Sequence, residues 1–462
     1  MDAALVSGWE GLCQLLAPAF TRPTFVTFLH LATGWVLCRS RPTVTNLVCT
    51  IGVSLLSHAA RHWTVYERFF YRAAWSLPQL SRLLLTRVVV PLIDRRGVGS
   101  EIDLNIDDTT CSRCGKHVAY AGYFKDASTS NTLRTVVHWS HNWVIAAVTM
   151  RDKRWPTWVI GLPVLFTLYR KRPDCDKAHP FLTRQQIAAG MIHEARSALS
   201  EVEGPDRVIR IAADGQYATG KVVSAASEAR SNLVSRMRCD AALYALPPRR
   251  RRFQRGRPRK KGKRLPTPRQ LAARRKTGWR TVQVLAYGKL VERLVLPVLC
   301  LWYHVSRDKP VKLLIVRDPS GKQKDDYLFC TDAAVSDEQI VERFAARWPI
   351  EECIHDGKQL GGFEQVQGWC KRTVERQAPL ALIVQTLVKT WYLLHGADAP
   401  AAQPQGAKVC GWLRDKDHPS YLDMLATLRH VLWTHRIKCN STLADRVRRL
   451  LEPLRFTLCA AA

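Results

Sequence analysis

Ile102, Leu104 and Ile106 alternate with polar residues and run directly into Asp107-Asp108-Thr109, and a second short apolar run, Val208 to Ala213, leads directly into Asp214-Gly215. Alternation with a period of two is the signature of a strand with one buried face. Two strands, each expected to end in an acid, with a helical stretch from Thr183 to Glu201 between them, point to an α/β fold. Further strands are expected at Thr135 to Trp139, Trp143 to Met150 and Trp158 to Tyr169, consecutive in sequence and able to pair as a meander.

The flanks have a different texture. Residues 1 to about 95 read as helical: Thr43 opens an apolar run through Leu56, and Ser76 followed by Pro78 marks another helix start. The apolar stretches Phe25 to Leu37 and Val44 to Leu56 are interrupted by polar residues and fall short of the roughly 20 residues a membrane span needs, so they read as buried helices. Between Ser57 and Arg72, the residues Arg61, His62, Trp63, Arg68 and Arg72 interleave with aromatics. That pattern fits a duplex-reading bundle of helix-turn-helix type or an ordinary helical subdomain with an aromatic core. Ser336-Asp337-Glu338-Gln339 is a capping box, from which a helix is expected to carry Ile340, Phe344 and Trp348 forward.

With 462 residues, the chain is long enough for more than one core. Its 14 cysteines are scattered, and no signal peptide opens it, so a reducing cytoplasm without disulfides is expected. Cys111-Ser-Arg-Cys114 with His117 has half the spacing of a zinc site and lacks a second ligand pair. The formal net charge is +31, and so large a like-signed excess repels itself unless a polyanion neutralises it. Fifteen Lys or Arg residues and no acid lie between Arg249 and Lys276. This segment is expected to contact phosphates as a loop or arm; its Arg255-Gly256-Arg257-Pro258 is similar to an AT-hook, and Arg255, Arg257, Arg259 and Lys260 are candidate DNA contacts.

The acids acquire meaning from what surrounds the third of them. Phe344-Ala-Ala-Arg347-Trp-Pro-Ile-Glu351, with Lys358 seven residues on, resembles the Y-x2-R-x3-E-x6-K signature of bacterial insertion-sequence transposases that carry a DDE triad. Asp107-Asp108-Thr109 is similar to that family's first acidic motif and Asp214-Gly215-Gln216-Tyr217 to its second. The resemblance implies an RNase H-like mixed-sheet core in which Asp108, Asp214 and Glu351 are catalytic and hold two Mg²⁺ ions, with Mn²⁺ as a possible substitute. Hard cations of this kind take carboxylates, and a pair of them can stabilise both the attacking and leaving oxygens of a phosphodiester. Arg347, Lys358 and Phe344 would contact DNA near the cut. Offsets of four and seven residues place Arg347, Glu351 and Lys358 on one helical face beside His355.

Two departures stand out. Phe344 replaces the signature's Tyr, and Pro349 is expected to kink the helix just before Glu351. Periodicity does not separate Glu351 from Glu352; the spacing to Arg347 and Lys358 selects Glu351. Alternation puts Asp108 on the apolar face of its strand and Asp107 on the other, and the resemblance selects Asp108, as the acid directly before Thr109. In the segment between the second and third acids, Tyr287, Trp302 and Tyr303 could stack on a flipped base or fill strand cores.

The organisation this implies is a helical DNA-binding domain over residues 1–95, the first part of the core over 96–224, a basic arm and β-rich insertion over 225–334, the second part of the core over 335–397, and a helical C-terminal region over 398–462. The expected activity is cleavage at transposon ends and strand transfer into target DNA. Partners are double-stranded DNA, as terminal inverted repeats and target, and a second copy of the chain in the paired-end complex, on the bacterial nucleoid and away from membranes. A noncatalytic DNA-binding repressor and an RNase H-like nuclease acting on RNA are the alternatives.

Overall fold

The computed structural model describes residues 2–54, 61–126, 129–131, 133–203, 206–248, 257, 259–274, 276–399 and 416–439. Six helices come first: α1 (Asp2–Gln14), α2 (Arg22–Leu37), α3 (Val44–Ser54), α4 (Trp63–Tyr71), α5 (Leu77–Leu83) and α6 (Val90–Arg96). Strands β1 (Ile102–Ser112), β2 (Gly122–Lys125), β3 (Val137–Asp152) and β4 (Trp155–Tyr169) follow, then α7 (Arg184–Glu203), β5 (Ile209–Ala213), α8 (Gly220–Glu228) and β6 (Asn232–Arg236). Next come α9 (Pro268–Arg274), β7 (Arg280–Ala286), β8 (Lys289–Cys300), α10 (Tyr303–Ser306), β9 (Val311–Arg317) and β10 (Asp326–Cys330). Helices α11 (Asp337–Ala345), α12 (Pro349–Gln359), α13 (Lys371–Trp391) and α14 (Tyr421–Cys439) complete the described chain.

The described strands form one ten-stranded mixed sheet in the order β2-β3-β1-β5-β6-β10-β9-β8-β7, with β4 paired to β3. This mixed α/β arrangement is that of an RNase H-like core. β1, β5 and β6 run parallel, which requires crossover segments, and α7 and α8 supply helices for them. The strands expected as a β-rich insertion extend this same sheet: β10 pairs with β6, and β9, β8 and β7 continue outward. The two strands expected at Thr135–Trp139 and Trp143–Met150 are one, β3, because the polar residues between them, Ser140, His141 and Asn142, are buried and keep pairing with β1.

The sheet separates two apolar layers. Ile102, Leu104 and Ile106 of β1 join Val144, Ala146 and Val148 of β3 against Ile187, Met191, Ile192 and Ala195 of α7. On the other side, Cys111, Trp143, Ile145 and Ala147 pack with Ile350 and Ile354 of α12 and with the nearly all-buried α13. Helices α1, α2, α4 and α14 belong to that second layer, through Trp9, Phe28, Leu31, Tyr66, Phe69, Leu425 and Leu428. The aromatics of the N-terminal helices are therefore largely core, and this core is shared with the C-terminal helices. Buried Arg429 of α14 reinforces the junction by donating to the carbonyls of Val36 and Cys38 at the end of α2, at 2.5 and 2.8 Å.

Two further expectations are corrected. β1 does not end at its acids but continues to Ser112, because Thr109 to Ser112 still have an antiparallel partner in β3 after the parallel partner β5 has ended opposite Ile106. The helix begun at Ser336 is not continuous through Pro349. The Ser336 hydroxyl does accept from the Gln339 N–H at 3.2 Å, but α11 stops at Ala345 and α12 starts at Pro349. Proline lacks an N–H and presets φ, so it fits the first turn of a helix better than the middle of one.

Candidate active site

The register of the parallel pair sets the first contact. Ile106 lies opposite Ala213, so the next residue on each strand is an acid, Asp107 on β1 and Asp214 after β5. Successive strand residues face opposite sides. Asp107 accordingly faces the α12 layer and Asp108 the α7 layer.

Asp107 meets the third acid through Arg347. One terminal nitrogen of Arg347 donates to Asp107 Oδ2 at 3.0 Å and the other to Glu351 Oε1 at 2.7 Å. Arg347 is only 8% exposed and its Nε has no protein partner, so the guanidinium is buried between two carboxylates that come from different elements. Burial pushes the Asp107 carboxyl up to about 7; Arg347 and the Asp108 backbone N–H pull it down, while the Asp108 and Asp214 charges add to the rise. Burial pulls the Arg347 guanidinium down, but the charges of Asp107, Glu351 and Asp214 outweigh it and raise it overall. Asp107, Asp214 and Glu351 thus share one electrostatic neighbourhood with Arg347 inside it. Glu352, the other candidate on α12, is exposed and lies nearest the charges of Lys389, Asp356 and His418.

Asp108 is held differently. Its Oδ2 accepts from Asn142 Nδ2 and from Arg184, both at 2.8 Å; its Oδ1 accepts from the Tyr217 hydroxyl at 3.0 Å and from Gln216 Nε2. Four donors from β3, α7 and the turn after Asp214 occupy both oxygens. Gln216 and Tyr217 belong to the Asp214 motif, whereas nothing local in the sequence marks Asn142 or Arg184, which stands at the expected helix start, as facing an acid.

Lys358 donates to the Thr110 carbonyl at 2.7 Å and pairs with Glu364 at 3.0 Å, tying α12 to β1. Phe344 is buried, with the guanidinium carbons of Arg236 and Arg347 at 5.2 and 5.6 Å from its ring centre, so its ring packs inward. Arg257, Arg259 and Lys260 are exposed, and Arg255 lies outside the described residues. Trp302 is buried edge-on to Phe329, and Tyr303 sits beside Lys261. Tyr287 is 66% exposed and meets exposed Trp348 edge-on at 6.1 Å.

The donors at this site suit a hard divalent cation in kind, since they are carboxylate oxygens. Among the described residues, no three metal-ligating side chains are grouped closely enough to hold an ion as they stand, Cys111, Cys114 and His117 included. Arg347 lies between Asp107 and Glu351 and donates to both. No helix among the described residues is long and apolar enough to cross a membrane.

No curated protein matches the sequence. Residues 300–392, which include Arg347, Glu351 and Lys358, match the family described as archaeal putative transposase ISC1217. Residues 15–289, more than half the chain and including Asp107, Asp108 and Asp214, match the family described as DDE superfamily endonuclease. The DDE superfamily endonuclease family covers more than half of the chain, and with the mixed α/β sheet and the transposase match it makes this protein a transposase-type nuclease of the DDE superfamily, to which the chain belongs.

Proposed function

We propose that the protein cleaves phosphodiesters at the ends of a DNA element and joins the freed 3′-OH to target DNA, using Asp107, Asp214 and Glu351 as ligands for Mg²⁺. The observation that carries this reading is the buried Arg347 bridge between Asp107 of β1 and Glu351 of α12, with Asp214 in the same field. Asp108, the acid selected by motif resemblance, is the alternative first ligand; its four donors leave both oxygens engaged, which favours Asp107.

A pair of divalent ions, when bound, activates water and spreads the charge of the attacking and leaving oxygens. The chain's own groups do the rest. Arg347 holds two carboxylates in position and compensates their charge until substrate and cation arrive. The Asn142, Arg184, Gln216 and Tyr217 cradle fixes Asp108, and through its backbone the orientation of Asp107. In cleavage, a water oxygen bonds to phosphorus as the P–O3′ bond breaks; in joining, that 3′-OH attacks a target phosphodiester and a target 3′-OH leaves. No covalent enzyme intermediate is needed. Pairing two ends calls for two copies of the chain.

The test uses duplexes carrying the element's terminal repeats and Mg²⁺. Asp107→Ala, Asp214→Ala and Glu351→Ala are each expected to lose cutting and joining by at least about 10³-fold, while all three still bind the duplex. Undiminished cutting by Asp214→Ala or Glu351→Ala would sink the proposal. Full activity in Asp107→Ala with loss in a folded Asp108→Asn would move the first ligand to Asp108.

A further inference from the structure

Away from the carboxylates, the start of α8 and the segment after β8 enclose a cleft of about 720 Å³. Thr183 and Gln185 line it from the start of α7, Thr219 and Lys221 from α8, and Arg307 and Lys309 from the turn after α10. His304 adds a further basic group, and Asp308 is the one acid in the lining. Among the described residues, Lys221, His304 and Arg307 have no carboxylate within salt-bridge distance, and all three are exposed. A concave surface that carries Lys221 and Arg307 without carboxylate partners attracts an anion.

Three details sharpen this. Thr219 Oγ1 is buried and has no hydrogen-bond partner, although its residue lines the cleft. Arg307 has φ of 56°, a left-handed conformation that glycine adopts without strain and arginine does not. Strain of this kind persists at ligand-gripping positions when the side chain is needed there. The cleft is also continuous with other features. Lys261, in the described root of the basic arm, lies 4.0 Å from the Tyr244 ring centre and 5.1 Å from that of Tyr303, the residue before His304. At the other end, Gln185 donates to the Gln216 carbonyl, while neighbouring Arg184 and Gln216 itself both hold Asp108.

We infer that this cleft binds the sugar-phosphate backbone of a DNA strand, with Lys221, Arg307 and Lys309 on successive phosphates, and guides it between the basic arm and the catalytic carboxylates. The inference rests on the DNA-processing function proposed above, but the binding itself needs neither metal nor catalysis. Each cation that meets a phosphate releases a counterion, so its removal lowers the slope of log affinity against log salt by about one, whatever the sequence.

The experiment measures anisotropy of a fluorescein-labelled duplex of arbitrary sequence against the full chain, in EDTA, over a salt series. Lys221→Ala, Lys309→Ala and Arg307→Gly are each expected to bind several-fold more weakly with a slope lower by about one. Lys322→Ala, on the exposed turn between β9 and β10, keeps the parental slope. Unchanged slopes in all three cleft variants, or an equal drop in Lys322→Ala, overturn the inference. So does inorganic phosphate at constant ionic strength if it erases the difference between parent and variants, because the cleft would then be a small-anion site. Failure here with acid-dependent cleavage intact removes the cleft alone; cleavage that survives Asp214→Ala, with the slope changes present, removes the catalytic reading alone.

Discussion

Asp107 and Asp108 have the same chemistry but meet different partners, because they face opposite sides of β1. Asp107 shares a buried guanidinium with Glu351, and Asp108 is fully hydrogen-bonded on the opposite layer. Removing Arg347 leaves two partly buried carboxylates without their cation, which costs about 3 kcal/mol for a pair of this kind. Arg347→Met is therefore expected to melt lower than the parent in EDTA and to gain more from added Mg²⁺, because the ion replaces the missing charge. Equal Mg²⁺ responses in calorimetry would contradict that. His141 is fully buried, accepts from Arg113 Nε at 2.8 Å and donates to the Ala119 carbonyl at 2.8 Å. Burial, then the Arg113 charge, lower its pKa to about 4 against the opposing Ala119 bond. The unfolded chain binds that proton below about 6.5 and the folded chain only below about 4, so this contribution to stability is full above 6.5 and declines as pH falls toward 4. His141→Gln is expected to flatten the pH dependence of denaturant midpoints across that window; an unchanged profile would refute the assignment.

At the scale of elements, the position of Glu351 depends on how closely α12 approaches β4. A Cβ on Gly161 would lie 2.7 Å from both the Pro349 carbonyl oxygen and Cys353 Sγ, and the first of these is backbone that cannot rotate away. Gly161→Ala is thus expected to push the start of α12 outward, lowering stability by about 1–3 kcal/mol and cutting activity more than a surface alanine would. Parental cleavage and melting would show that the contact relaxes without cost. The same junction explains why Pro349 is tolerated: the sequence suggested a kink, whereas the chain uses the proline to begin a helix after Arg347. Arg347 consequently stands just ahead of the helix that carries Glu351, and still reaches it at an offset of four residues.

For the whole molecule, the N-terminal helices share their core with α13 and α14. A chain starting at residue 97 would expose Trp391, Leu387, Leu428 and other residues now covered by α1, α2 and α4, and is expected to aggregate or lack a cooperative thermal transition. A monomeric, cooperatively folding fragment would show that the sheet and its C-terminal helices form an independent unit. In the intact chain, Arg429→Met is expected to destabilise by about 2 kcal/mol, since it leaves buried carbonyls at the end of α2 without these donors.

What the sequence determined by itself was local. Alternation in Ile102, Leu104 and Ile106, the capping box at Ser336 and the breaks around Val208–Ala213 are short-range signals, and the elements they mark are present close to where they were expected. The spacing of Arg347, Glu351 and Lys358 was legible for the same reason. Tertiary structure alone decided what the elements are next to: that β1 continues past its acids because β3 still pairs with it, that β7 to β10 extend the core sheet, and that the N-terminal aromatics pack against the far end of the chain. It also decided which face each aspartate addresses. Strand alternation distinguishes two sides of a sheet but not which side will receive α12, because that depends on packing between residues more than 200 positions apart in sequence.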